Sequence, residues 1–572
     1  MMNKKTLLGI FLVFASSCTK NNVEEIKNIG STSTEAEAAI KFTASSDSIN
    51  KKYGDFCFRG THNSYSGGLR GSISSQLNSK MSFFELDLWP LNSNNIYSSN
   101  WAHKDRVLTA IERNDGYYLA NYSKDNGQIS IDKFTGNGLT NVYKSNWMEK
   151  DRVLTAMEWN GNSYMVNYSK DNGQISIDKF TGNGLVNVYK TNWAEKDRVL
   201  TSMEWNGNSY MVNYSKDNGQ ISIDRFTGNG LANVYKGNWT EKNRVLTTID
   251  WDGKVYLANY SKDDGQISID RFTGSGLSNV YKKHWVAKDR ELISITLEGI
   301  PYLFNYRKDN GQISINGFNG DELYFVFQKE WQAQNRKFAS FNLSKNSYLI
   351  NYRNDNGQIS IDDFSFDFVI GHDYPSDEVA HITGNPTSNY LTDWASLIKD
   401  SMSEEDYPIF LMLELKEYKV WLYNGLWEKM LDQVEATLGI ENVRYVASKA
   451  MQNGINRDTP IEDLKGKVVV YLEPNNDIMD DTSDLAKGLK EFRQSRRYHS
   501  YDWRKYYNNI DKLNASMKND TTNKNLIRIF RLEEEGNYQS LHGNLLLNFA
   551  ITDNPNDVRY IDLTNSLDTV PK

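Results

Sequence analysis

Trp101, Trp147, Trp193, Trp239, Trp285 and Trp331 recur every 46 residues without a slip. Self-similarity at such a period marks a repeat architecture, in which each unit buries its apolar face only by stacking on its neighbours. Within one copy the runs RVLTAMEW, SYMVNYSK and QISIDKF alternate apolar and polar residues, and Asn-Gly and Asp-Asn-Gly turns separate them. A fourth run, LVNVYKT, follows TGNG. Alternation broken by such turns reads as antiparallel hairpins. Four strands in a period in the forties read as one blade of a β-propeller. Asn94-Asn95-Ile96-Tyr97, ahead of the first Trp, matches the fourth run, while the sixth copy stops at Gln358–Phe364 without writing one. An extra strand in front and a missing one behind predict six blades over 93–365, the last completed by the first segment.

Arg106 and its counterparts Arg152, Arg198, Arg244, Arg290 and Arg336 recur with the Trp, as do Asn121-Tyr122 and their equivalents. Two readings stand. These residues line six glycan pockets, or they are the inter-blade packing that every copy needs for the fold alone, which is the plainer account. The module resembles lectin propellers of similar repeat length, which implies a glycan partner without naming it.

Lys4 and Lys5 precede the apolar run Leu7–Ala15 and then Ser16-Ser17-Cys18. A basic start, a short apolar run and small residues read as a secretory signal over 1–18. Cys18 resembles the lipidated cysteine of bacterial lipoproteins; a plain signal peptide with an incidental Cys is the other reading. The resemblance implies a lipid-anchored protein of the bacterial cell envelope, or a secreted one. The run is too short to span a bilayer. Residues 19–48 are polar and low in aromatics, a flexible tether. The chain has 65 basic and 73 acidic residues, a balance that gives no reason to expect a nucleic-acid partner. Cys57 is the one other cysteine, so no intrachain disulfide is expected after processing.

With 93–365 set aside, 49–92 joins 366–572, about 250 residues, the usual size of a (β/α)8 barrel of the TIM type. Eight strands are expected: Phe56–His62, Phe83–Trp89, Asp367–His372, Ile409–Leu415, Val443–Ala447, Val468–Leu472, Ile527–Leu532 and Leu545–Ile551. Several are continuous apolar runs, as strands buried on both faces require. Leu391–Ser401 and Leu422–Leu438 have helical periodicity. The expected fold class is thus an α/β barrel with an inserted all-β six-bladed propeller. The insert leaves after the second strand and returns before the third, so the propeller is expected beside or over the barrel's carboxyl-terminal face.

Polar residues gather at the ends of the first four strands: His62 and Asn63, Glu85 and Asp87, His372 and Asp373, and Glu414. Barrel active sites sit at that face. Glu85 and Asp87 are two apart on a strand and share a face. Three inward carboxylates repel one another unless a cation compensates, and oxygen ligands suit a hard ion, Ca²⁺ above all. Each His also admits a structural reading as a strand-end hydrogen-bonder, and LELKE reads equally as an ordinary strand exit.

Taken in order, GTHNSY, SISSQL, FFELDLW, GHD and FLMLELK resemble the X-region of calcium-dependent, phosphoinositide-specific phospholipase C and its bacterial relatives, closely over the first half of the barrel and loosely beyond. The resemblance implies Asn63, Glu85, Asp87 and Glu414 as Ca²⁺ ligands, His62 and His372 as the catalytic pair, and Glu85 also as a base. It implies cleavage of an inositol lipid to diacylglycerol and a cyclic inositol phosphate. After Val468–Tyr471 the chain reads Leu472-Glu473-Pro474, where relatives acting on polyphosphoinositides carry lysines. That departure implies plain phosphatidylinositol, a glycosylated inositol lipid or another phosphodiester. Phe549–Pro555 resembles the last strand of glycerophosphodiester phosphodiesterases, the alternative enzyme. A non-catalytic carbohydrate-binding surface lipoprotein is the alternative of another class. Tyr498, Tyr501, Trp503, Tyr506 and Tyr507, with Arg497, Arg504 and Lys505, read as helix packing or as a lipid-facing lip.

Overall fold

The computed structural model describes residues 51–474 apart from 53–55, 103, 149–150, 195, 241, 287–288, 332–334, 344–345, 404–406, 424, 446–454 and 456–458, and beyond these the strands Arg504–Tyr507, Ile527–Leu532, Phe549–Thr552 and Thr569–Val570. The signal at 1–18 with Cys18 and the tether at 19–48 lie outside the described residues.

The repeats fold into six four-stranded antiparallel sheets. Blade one is Arg106–Arg113, Gly116–Ser123, Gln128–Phe134 and Leu139–Asn146, and the next four repeat it. Blade six has three strands from the end of the repeat region and a fourth, Asn92–Asn100, from its beginning. That strand pairs antiparallel with Gln358–Ser365, from Gln358 opposite Asn100 to Ser365 opposite Asn92. The first strands of successive blades neighbour one another, and that of blade six lies against that of blade one. The propeller is six-bladed and closed by its own leading strand, as the repeat count predicts.

The repeated residues explain the blade. Gly127 sits at φ 75°, and a Cβ there would meet the Trp147 carbonyl oxygen at 2.2 Å; the Asp-Asn-Gly turn therefore requires glycine. The third and fourth strands slip register between Ile131 and Asp132, and at the equivalent place in every blade. Such a bulge sharpens the local twist. Asn141 fastens it, donating to Asp132 Oδ1 at 2.9 Å and to the Tyr143 carbonyl at 3.1 Å. Between blades, the buried Arg152 guanidinium stacks 4.7 Å from the Trp147 ring and donates to Asn167 Oδ1. Asn167 donates in turn to Asp178 Oδ2 at 2.7 Å, and Tyr122 stacks on Trp147 at 5.5 Å. Trp, Arg, Asn and Tyr are thus engaged with one another, as the packing reading expects.

The rest of the chain builds a parallel sheet of β1 (Cys57–Thr61), β2 (Phe83–Trp89), β3 (Ile409–Leu415), β4 (Val443–Tyr445), β5 (Val468–Pro474), β6 (Arg504–Tyr507), β7 (Ile527–Leu532) and β8 (Phe549–Thr552), in the order β4-β5-β3-β2-β1-β8-β7-β6. Three expectations are corrected. Asp367–His372 is not a stave of the sheet: Val369–Ile370 alone pairs, antiparallel to Leu88 and Trp89, and the chain then coils into a turn. Arg504–Tyr507, within the stretch read as helix packing or a lip, is strand β6. The order also departs from sequential winding, since β5 lies between β3 and β4. The continuous apolar run of β5 suits a place buried on both faces, whereas three-residue β4, with Arg444, suits an edge. Among the described residues no ladder joins β4 to β6, so the closed (β/α)8 barrel is not among the observed features.

Helices α1 (Ile73–Asn78), α2 (Leu391–Asp400), α3 (Tyr418–Tyr423) and α4 (Leu426–Leu438) cover the sheet. The helix expected over Leu422–Leu438 is broken at Gly425, φ 59°. Helix α2 buries Leu391, Trp394, Ala395 and Ile398, the apolar stripe of a core-facing helix. One apolar core runs from the sheet into blade five, joining Leu88, Leu91, Phe368 and Trp421 to Leu297, Tyr302, Val326 and Phe327. Lys429 pairs with Glu298 across the same seam. The propeller is docked on the flank that carries α3 and α4, not hung from a linker.

Candidate active site

The turn after β1 is locked onto β2 before any charge enters. Asn63 takes a left-handed φ of 45°, which Asn tolerates better than most residues. Ser64 N donates to the Glu85 carbonyl at 3.0 Å, and Glu85 N donates to Ser64 Oγ at 2.9 Å. Gln76 of α1 holds the turn from behind, accepting from Thr61 Oγ1 at 2.6 Å and donating to the Ser64 carbonyl at 2.9 Å. This clamp makes physical sense of the SISSQL segment that follows the turn.

On β2, Glu85 and Asp87 share a face and are 2 % and 1 % exposed. In parallel register Asp87 lies opposite Glu414 of β3. Glu85, Asp87 and Glu414 bring carboxylate oxygens within 4.8 Å of one another. His62 Nε2 stands 3.9 Å from Glu85 Oε2, and Asn63 is buried on the turn beside them. In backbone register, Glu473 of β5 continues the row next to Glu414.

His372 arrives by a separate turn. Gly371 N donates to the Asp87 carbonyl at 3.1 Å, and Trp89 Nε1 donates to the Gly371 carbonyl at 2.9 Å, tying the turn to the carboxyl end of β2. A Cβ at Gly371 would meet the Tyr374 carbonyl oxygen at 2.2 Å, so glycine permits the coil. The half-exposed imidazole has Nδ1 at 3.2 Å from Asp373 Oδ1. His372, Asp377 and Glu378 form a second group of clustered metal-competent side chains on this turn.

Two further residues complete the charge pattern, both inside the quoted motifs but given no role there. Lys416 Nζ lies 2.8 Å from Asp87 Oδ2 and 3.0 Å from Glu414 Oε1. The fully buried Tyr65 donates to Asp87 Oδ2 at 2.9 Å. Burial, then the Glu414 charge, push the Asp87 carboxyl up to about 6, against the opposing pull of Lys416. Burial and the Asp87 charge hold the Tyr65 phenol well above its ordinary range. Burial works against the Lys416 ammonium, but Asp87 and Glu414 more than offset it and raise its pKa. Lys416 was detectable as LELK, two residues beyond Glu414 and on the same face.

The donor set fits a hard divalent cation. It is all oxygen, its carboxylates converge, and Asp87 Oδ1 is buried with no hydrogen-bond partner in the protein, an orphan that wants one. Glu85, Asp87 and Glu414, with Asn63 beside them, would hold such an ion; Lys416 supplies part of the compensating charge from the protein itself.

No family model matches the chain, and no curated protein matches it. Solved structures resemble it at low identity. A fungal lectin from Aleuria aurantia, described as a six-bladed β-propeller with a novel fucose recognition mode, is 13% identical, with a TM-score of 0.37 over 51% of this chain and 99% of its own. The Cps50 (Swd1) propeller domain of Myceliophteria thermophila is 12% identical, with a TM-score of 0.33 over 47% and 99%. A putative 6-phosphogluconolactonase of Bacteroides fragilis is 14% identical, with a TM-score of 0.30 over 47% and 83%.

Proposed function

We propose that the sheet domain is a Ca²⁺-dependent phosphodiesterase that cleaves phosphatidylinositol or a glycosylated inositol lipid to diacylglycerol and a cyclic inositol phosphate. In this reading the eight parallel strands close as a (β/α)8 barrel, and Cys18 carries the lipid that anchors the chain in the cell envelope. One observation carries it: Glu85, Asp87 and Glu414 converge on adjacent parallel strands, His62 stands 3.9 Å from Glu85, and the His372 turn is bonded to the carboxyl end of β2.

A bound Ca²⁺ supplies a Lewis acid that lowers the pKa of the attacking inositol hydroxyl. Glu85 accepts the hydroxyl proton while the oxygen forms its new bond to phosphorus. His62, 3.9 Å from Glu85, stabilises the charge growing on the phosphoryl oxygens. As the bond to the diacylglycerol oxygen breaks, His372 donates a proton to that oxygen, its Nδ1 lying 3.2 Å from Asp373 Oδ1. Asp87 and Lys416 touch no reacting atom here; they set the charge that Glu85 works in.

The test is full-length protein on phosphatidylinositol vesicles, followed by phosphorus NMR with Ca²⁺ or chelator. Ca²⁺-dependent cyclic product that His62→Ala cannot make is the expected result; no product in either buffer would remove the reading.

A second reading, a carbohydrate-binding protein for which the sheet is a scaffold, is favoured by the six equivalent blade junctions. Each keeps a half-buried Trp at the surface beside a packed guanidinium. Glycan-array binding by the full chain that survives His62→Ala and Glu85→Gln, with no lipid turnover, would select it.

A further inference from the structure

A cleft of about 200 Å³ opens at the seam where the chain leaves β2 for the propeller and where it returns towards His372. Phe327 of blade five, Val369 and Pro375 give it a buried apolar floor. Asn92, Asn94, Ser376, Ser388, Tyr390 and Lys329 give it a polar rim. Val369 and Ser376 bracket the turn that carries His372.

Its walls are one hydrogen-bonded unit with the candidate active site. Ile370 N donates to the Asn389 carbonyl at 2.9 Å, Leu391 N donates to the Phe368 carbonyl at 2.9 Å, and Gly371 N donates to the Asp87 carbonyl at 3.1 Å. On the opposite wall, Asn92 and Asn94 both donate from Nδ2 to Tyr390 Oη at 3.3 Å, bonds long enough to be exchanged for better ones. Asn389 Oδ1, in the same wall, is a buried acceptor that no protein donor meets, which a surface built only for packing would not leave.

The lining selects a ligand class. Among the described residues no carboxylate lines the cleft, so this lining does not favour a cation. Amides, hydroxyls and a phenol around an apolar floor match a sugar ring, whose hydroxyls both donate and accept and whose C–H face is apolar. Lys329 tolerates a neutral or anionic ring. The volume is below that of a drug-sized pocket and suits a single ring.

We propose that this seam cleft binds a hexose unit carried on the inositol headgroup, so that propeller and sheet together form the specificity site. The attachment of that sugar to an inositol phosphate rests on the phosphodiesterase reading; the sugar site itself does not.

The experiment titrates full-length His62→Ala protein, in Ca²⁺ buffer, with hexosyl-inositol 1-phosphate and with inositol 1-phosphate by calorimetry. The expected result is about tenfold tighter binding of the hexosyl compound. Tyr390→Phe and Asn94→Ala, each checked for an unchanged melting temperature, should bring the ratio close to one without weakening inositol 1-phosphate. Equal affinities before substitution, or a preference that survives both substitutions, would overturn the proposal. Tyr390-dependent binding of the hexosyl compound without any binding of inositol 1-phosphate would uphold the cleft and remove the phosphodiesterase reading.

Discussion

The propeller and the sheet handle buried carboxylates in opposite ways. In blade five, Glu291 is met by Lys308, Lys262 and Lys337 at 2.6, 3.4 and 3.5 Å, with Asp289 at the rim sharing two of them. Burial alone would raise the Glu291 pKa, yet the three ammonium groups push it down to about 2. At the strand ends of the sheet the ratio is inverted: Asp87 and Glu414 share Lys416, with Glu85 close by, and Asp87 is pushed up to about 6. One region sets three ammonium groups against two carboxylates; the other sets one ammonium between two. Structure alone explains the first. The second is a strain of the kind that the proposed site would use, since binding and catalytic sites are where pKa values are driven apart.

The largest effect should separate the regions by chemistry. Glu85→Gln or His62→Ala should lower phosphodiester turnover by about 10²- to 10⁴-fold without lowering the urea midpoint; retained turnover would erase the functional side of the contrast. Next, Arg198→Met in the propeller removes the guanidinium from over Trp193 and strands the buried Asn213 Oδ1. It should cost about 3 kcal/mol in urea unfolding and leave turnover of a soluble inositol phosphodiester intact.

The pH dependence should differ in sign. Asp87 is raised in the folded state, so its contribution to stability is present below its ordinary value of 3.8 and is lost as pH rises through about 6. In chelator, the wild type minus Asp87→Asn difference should therefore worsen by on the order of 2–3 kcal/mol over that window, and Ca²⁺ should abolish the loss. Glu291 is depressed, so its contribution is present above 4.5 and is lost as pH falls through about 2. Identical trends for Asp87→Asn and Glu291→Gln would break the comparison.

Lys416→Met should sharpen it further. Removing the one ammonium should lower the melting temperature in chelator and enlarge the rise on adding Ca²⁺, by about 1–2 kcal/mol in linked stability; an unchanged rise would mean that Lys416 does not compensate these carboxylates. The smallest effect concerns the seam: Lys419 and Glu322 approach only to 3.8 Å at the surface, so Lys419→Ala should cost no more than about 0.5 kcal/mol. A larger loss would shift the docking from the apolar core to its charged margin.

Much of this was readable from the chain. The six blades, their hairpins and the closing strand follow from a local pattern written six times, because a turn such as Asp125-Asn126-Gly127 imposes its geometry wherever it occurs. Phe83–Trp89, Ile409–Leu415 and Ile527–Leu532 fall where their apolar runs put them. The short Val369–Ile370 pair was read too long, because Gly371 and the turn behind it interrupt a run that looks apolar and extended. Glu85 with Asp87 was legible through strand alternation.

The remaining features depend on neighbours far apart in the chain. Nothing local tells β5 to insert between β3 and β4, since that choice turns on which strand best tolerates burial on both faces. Nothing local brings Tyr65 and Lys416 to the same oxygen of Asp87, or Asn94 of the closing strand to Tyr390 beyond the propeller. Hairpin and period are properties of adjacent residues and survive in any context. Charge compensation and cleft lining belong to surfaces that exist only once the sheet and the propeller have packed together.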